Sequence, residues 1–122
     1  MMLFKEKIEQ GVAILSMSGS MLSETDSVRF RERFHDLARS DTRHIIIDFG
    51  GVNHINSIGL GALVSAVVTI RKAKGDIKLA QLDEDVMDVF SVTRLVQIFE
   101  IYKSVDQAFV HSVRESRESA GS

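Results

Sequence analysis

His44-Ile45-Ile46-Ile47-Asp48-Phe49-Gly50-Gly51-Val52-Asn53-His54-Ile55-Asn56-Ser57-Ile58-Gly59-Leu60-Gly61-Ala62-Leu63-Val64 is the segment around which the chain is organised. It opens as an apolar run, Ile45 to Ile47 with Phe49, the mark of a strand buried on both faces. Gly50-Gly51 is expected to end that strand and open a loop. Beyond the loop Leu60, Leu63, Val64, Val67 and Ile70 recur at three- and four-residue steps, which predicts a helix running to about Lys74. Ser57 stands directly before this pattern and reads as its N-cap, its oxygen accepting an orphan backbone N–H of the first turn. One hydroxyl is thereby expected at the mouth of a loop, exposed, at the positive end of a helix dipole. Gly59 and Gly61 follow at once, although glycine weakens a helix interior. Their expected value is close approach, with nothing projecting from the first turn beside the hydroxyl.

The segment Asn56-Ser57-Ile58-Gly59-Leu60-Gly61-Ala62-Leu63 resembles the signature of the STAS-domain anti-sigma factor antagonists, Asp-Ser-Ser/Thr-Gly-Leu-Gly-x-Leu. The likeness extends from about Leu3 to about Val113 in the order of strands and helices. It implies that Ser57 is the residue phosphorylated by a partner kinase. Two positions depart from the pattern: Asn56 replaces the aspartate and Ile58 replaces the second hydroxyl residue. The first removes a negative charge beside the serine, and the second leaves Ser57 as the only acceptor hydroxyl of the signature.

Composition fits one small domain. The chain has 122 residues, with fifteen basic and seventeen acidic side chains and a formal charge of −2. That balance does not suggest binding to nucleic acid or to an anionic membrane. With no cysteine there is neither a disulfide framework nor a thiolate metal site. The N-terminus mixes acid and base and lacks the long apolar region of a signal peptide or membrane span, so a cytoplasmic protein is expected.

Along the chain, Leu3 to Ile8 and Val12 to Met17 read as strands joined by a tight turn at Glu9-Gln10-Gly11. Ser23 to Arg39 reads as a helix with Phe30, Phe34, Leu37 and Ala38 on one face and a weak capping box at Ser23 and Asp26. Its arginines, Arg29, Arg31, Arg33 and Arg39, read as a solvated face. After the central segment, Arg71, Lys72 and Lys74 oppose the dipole at the helix end, and Gly75 is the expected C-cap. Ile77 to Leu82 is a further strand, and Asp85 to Val92 a short helix turning Val86, Val89 and Phe90 inward. Arg94-Leu95 stands where the resemblance implies Gly-Leu. Ile98 to Tyr102 reads as an edge strand, and Ser104 with Gln107 caps a C-terminal helix burying Val105, Ala108, Phe109 and Val113. Residues 1–114 are expected to form the domain, with 115–122 a disordered tail. The order predicts an α/β fold, a single STAS-like domain with a mixed β-sheet of about five strands and four helices packed against it.

Other chemistries lack their parts. Ser57 as a nucleophile with His54 as base has no third group assigned to orient the histidine, and the segment is not Gly-x-Ser-x-Gly. His35, His44, His54 and His111 share no metal-ligand spacing. Neither glycine pair matches a phosphate loop or a dinucleotide fingerprint. No catalytic residue, metal or cofactor is expected. The resemblance implies a phosphorylation-switched binding protein. Unphosphorylated, it binds an anti-sigma factor that is also a serine kinase, and so frees a sigma factor. Phosphorylation of Ser57 ends the binding, and a PP2C-type phosphatase restores it. The partner-binding residues are expected to be Asn56, Ser57, Ile58, Gly59, Gly61, Ala62, Ser65 and Thr69, the last group forming a small and polar stripe. No direct contact with nucleic acid or membrane is expected, and the chain is expected to be a monomer or weak dimer. A non-switching STAS scaffold subunit of a sensory assembly is the alternative.

Overall fold

The computed structural model describes residues 3–19 and 24–121. The strands are β1 (Leu3–Glu9), β2 (Val12–Gly19), β3 (His44–Val52), β4 (Asp76–Ala80) and β5 (Glu100–Tyr102). The helices are α1 (Glu24–Ala38), α2 (Ser57–Lys72), α3 (Glu84–Val92) and α4 (Val105–Gly121). The five strands lie in sequence order, β1 antiparallel to β2 and the rest parallel. The mixed sheet with four helices is the predicted fold.

Gln10 and Gly11 both have positive φ, 50° and 79°, the geometry that lets a two-residue hairpin follow the twist of its strands. The side chains of β3 alternate between two cores. Ile45, Ile47 and Phe49 face the core shared with Phe30 and Phe34 of α1, Leu63 and Val67 of α2, and Phe90 of α3. Ile46 faces a smaller core with Val12, Ala80, Ala108 and Val113, covered by α4. Strand β3 is thus buried on both sides, as its unbroken apolar run requires.

Four expectations about the boundaries need correction. Gly50-Gly51 does not end β3: Gly51 pairs with Ser18 and Val52 with Gly19, after a bulge that shifts the register. The Asp48 carboxylate accepts the Gly50 N–H at 2.8 Å and the Gln81 amide at 2.8 Å, which holds the bulged strand in place. A Cβ on Gly51 would lie 2.9 Å from the Met17 carbonyl oxygen, so glycine here permits strand contact. The left-handed residue closing α2 is Lys74, φ 66°, and not Gly75. The N–H groups of Lys74 and Gly75 donate to the carbonyls of Arg71 and Ile70, a Schellman ending one residue earlier than expected. The last strand is cut to Glu100–Tyr102 because Leu95–Gln97 forms a 3-10 turn entered through Arg94 at φ 62°. The expected tail from Glu115 instead continues α4, anchored by Glu115 on Lys78 and by Arg117 on Gln10. The Ser23 part of the α1 capping box lies outside the described residues. Ser104 Oγ does cap α4, accepting the Gln107 N–H at 3.1 Å.

One charge lies inside the sheet. Lys78 of β4 is in register with Ile46, on the α4 side, and its side chain is 1% exposed. Its ammonium lies 2.7 Å from Glu115 of α4, 2.7 Å from Glu100 of β5 and 3.2 Å from Asp76. The three carboxylates converge within 4.8 Å of one another, and the lysine's own cation fills the space between them. Burial alone would pull the Lys78 pKa down, but hydrogen bonds to Glu100 and Glu115, with Asp76 nearby, outweigh it and the net shift is upward. A raised lysine pKa stabilises the fold fully below the unfolded value and less as pH climbs above it. Lys78→Met is expected to cost about 2 kcal/mol at neutral pH, below the ~3–5 kcal/mol of a broken fully buried pair because the carboxylates reach water. The gap to the native chain should narrow by about 1.4 kcal/mol between pH ~8 and ~11.5, read from urea unfolding of both proteins. A gap that stayed constant would mean that the ion cluster is not what Lys78 contributes.

Candidate functional site

The site sits where β3 hands over to α2. After Val52 the chain leaves the sheet, and Ile55, 8% exposed, anchors the loop in the core. Asn56 has extended backbone angles and is the N-cap of α2; its side-chain oxygen accepts the Gly59 N–H at 2.9 Å. Leu60 N–H closes the first turn on the Asn56 carbonyl at 3.0 Å. Ser57 is therefore the first helical residue rather than the cap, a shift of one position from the sequence expectation. An amide oxygen at Asn56 serves the cap as well as a hydroxyl does, and it frees Ser57 from that task. The Ser57 side chain is exposed.

The two glycines divide. Gly59 is buried, and a Cβ there would sit 3.0 Å from Cγ1 of Ile55 and 3.5 Å from Oδ1 of Asn56. It lets the loop fold back over the first turn and is a packing residue. Gly61 is exposed, and a Cβ on it would meet nothing within 4 Å. Only Gly61 answers the close-approach expectation.

The expected stripe also changes. Ala62 is 0% exposed and belongs to the core, because its position on α2 faces the sheet with Leu63 and Ala66. Ser65 and Thr69 are half-buried. The open side of α2 instead carries Ile58, 37% exposed, then Gly61 and Val68, 46% exposed. Opposite them α1 presents Val28, 55% exposed. Ser27, Val28 and Arg31 of α1 with Ser57, Ile58 and Gly61 of α2 line a groove of about 280 Å³. Sequence reasoning missed the α1 wall of this groove. Its signal was Val28, an apolar residue off the Phe30, Phe34 and Leu37 face.

Ser57 and His54 are both exposed, and among the described residues no hydrogen bond joins them. The hydrolase arrangement therefore lacks the contact that would activate the hydroxyl. Among the described residues no helix is long and apolar enough to cross a membrane.

Comparison with known proteins bears on the fold and the family. Residues 4–108 match the STAS domain. A Bordetella bronchiseptica protein provisionally named the anti-sigma factor antagonist BtrV is 27% identical over 66 residues, covering 54% of this chain and 57% of that protein. The chain thus spans little more than half of that relative. A Thermotoga maritima crystal structure, also provisionally assigned as an anti-sigma factor antagonist, superposes with a TM-score of 0.79 at 28% identity, over 89% of this chain and 93% of that one. The Bacillus cell fate determinant SpoIIAA in its phosphorylated form shares the fold, TM-score 0.72 at 14% identity, over 89% of this chain and 98% of that one. A family match over most of the chain, on the five-stranded sheet and Ser57 loop described above, establishes that this chain belongs to the STAS domain family.

Proposed function

We propose that the chain is an anti-sigma factor antagonist, a binding protein rather than an enzyme, switched by phosphorylation of Ser57. The observation that carries this reading is the cap: Asn56 closes the helix, so among the described residues no side-chain hydrogen bond accounts for the exposed Ser57 hydroxyl. The same observation favours this reading over a non-switching scaffold in which Ser57 is structural. The names borne by the Bordetella and Thermotoga relatives support the functional class.

In the step proposed, Ser57 Oγ attacks the γ-phosphorus of ATP on a partner serine kinase that is itself the anti-sigma factor. The new O–P bond forms as the bond to the β,γ-bridging oxygen breaks; ADP leaves and the hydroxyl proton passes to a base of the kinase. A PP2C-type phosphatase would reverse the state by attack of water, releasing inorganic phosphate and the free serine. The phosphoryl group adds ~1.5 to 2 negative charges to a surface that docks as a neutral hydroxyl. The proposal places the protein in the cytoplasm, as a monomer or weak dimer, with Ile58, Gly61 and Ser57 at the contact.

Incubation with ATP and a serine kinase encoded beside the chain's own reading frame, followed by mass spectrometry, tests this. One phosphoryl group is expected on Ser57 and none on Ser57→Ala. Phosphate found on Ser65 or Thr69, in either protein, would show the acceptor to be misassigned.

A further inference from the structure

We propose that the groove between α1 and α2 captures the phosphoryl group of phosphorylated Ser57 in cis, with Arg31 as the cation that holds it, taking the phosphorylation proposed above as given. Ser57 and Arg31 line the same groove of about 280 Å³, from helices far apart in the chain. Among the described residues Arg31 makes no ion pair or hydrogen bond. Its own helix supplies no acid at the spacings that would engage it: Ser27 and His35 lie four residues away, Val28 and Phe34 three. The loop before Ser57, Asn53-His54-Ile55-Asn56, carries no acid either. Arg33 is held by Glu6, Arg39 by Asp36 and Arg71 by Asp76; Arg29, Arg94 and Arg114 are as little engaged as Arg31 among the described residues, but none of them lines the groove with Ser57. Among the described residues the groove therefore offers one uncommitted guanidinium and no carboxylate, a cation without its anion beside the hydroxyl that receives one.

A guanidinium fork matches phosphate oxygens and forms short charge-assisted bonds with them. A phosphoryl group drawn toward Arg31 would lie between Val28 and Ile58, the exposed apolar walls of the groove. Phosphorylation would then do more than add charge. It would fill the groove and neutralise the cation that a docking partner finds free in the unphosphorylated chain.

The test needs no kinase. Phosphoserine is installed at position 57 during translation, and its second ionisation is followed by phosphorus NMR in the native background, in Arg31→Gln, in Arg31→Lys and in Arg29→Gln. Arg29 is exposed in a separate cleft with Phe4, Leu15 and Phe30, so its loss controls for overall charge. The phosphate pKa, ordinarily about 6, should lie about half a unit lower in the native background than in Arg31→Gln, a modest shift because the groove is open to solvent. Arg31→Lys should retain part of the shift, Arg29→Gln should titrate like the native protein, and high salt should shrink the difference. Equal titrations in the native and Arg31→Gln backgrounds would overturn the capture, as would an equal effect from Arg29→Gln. Should no kinase ever modify Ser57, the switching reading fails while the titration still reports on Arg31. A modified Ser57 with an Arg31-independent titration would leave the switch standing and remove the capture alone.

Discussion

Ser57→Asp should bind the partner kinase at least about tenfold more weakly than Ser57→Ala, a difference of about 1.4 kcal/mol or more, while melting no lower. The two effects come from different neighbours. Within the chain, an aspartate at the first helical position meets the free N–H groups and dipole of α2, which favour an anion by about 0.3–1 kcal/mol. Across the interface, the same charge must be desolvated beside the apolar Ile58 and Val28, and it engages the Arg31 cation that a partner meets free on the Ser57→Ala surface. Stability and affinity are thereby uncoupled. Because Asn56 is the cap, Ser57→Ala should leave stability nearly unchanged, whereas Asn56→Ala should lose about 1 kcal/mol. Calorimetric titrations of Ser57→Asp and Ser57→Ala against one kinase, with melting curves of all three variants, separate these terms. Equal affinities would mean that the partner does not read charge at position 57. A larger stability loss from Ser57→Ala than from Asn56→Ala would return the cap to the serine.

Most of the architecture was legible because periodicity reports burial. The apolar run Ile45–Ile47 marks a strand with a core on each face, and the 3–4 spacing from Leu60 to Ile70 marks a helix with one buried side. What escaped were features set by contacts between distant segments. Gly50-Gly51 looks like a strand end, and only the pairing of Gly51 with Ser18 shows that it continues β3. Lys78 alternates with Ile77 and Leu79 as an outward strand residue should, yet α4 closes over it and supplies Glu115. That same contact holds as helix a segment whose composition reads as tail. At the site, the serine and its exposed setting were readable, but a one-residue ambiguity between Asn56 and Ser57 hid which of them caps. The α1 wall was not readable at all: Val28 and Arg31 reach Ser57 only through the packing of α1 on α2. The identity of the helix-ending residue was likewise a contact question.

That ending carries the largest stability prediction. Gly75→Ala should destabilise the protein by roughly 3 kcal/mol, a fall in melting temperature of about 10 °C. The cause is steric and not conformational. A Cβ on Gly75 would lie 2.1 Å from the carbonyl oxygen of Arg43 and 2.7 Å from its Cβ. Neither the oxygen nor its backbone can yield cheaply, because that carbonyl accepts the Asp76 N–H at 3.0 Å, next to the first register pair of β3 and β4, His44 with Asp76. Moving Arg43 would also strain the bond from its guanidinium to the Ala73 carbonyl at 2.9 Å. The neighbouring residue should respond with the opposite sign. Lys74 occupies the left-handed region at φ 66°, where a side chain crowds the following carbonyl, so Lys74→Gly should gain about 0.5 kcal/mol after the entropy that glycine forfeits. Urea unfolding of the two single variants resolves effects of this size. If Gly75→Ala cost only about 1 kcal/mol, as a left-handed position would, and Lys74→Gly were harmful, the left-handed cap would sit at Gly75 after all, and the close approach of Arg43 to the end of α2 would not exist in solution.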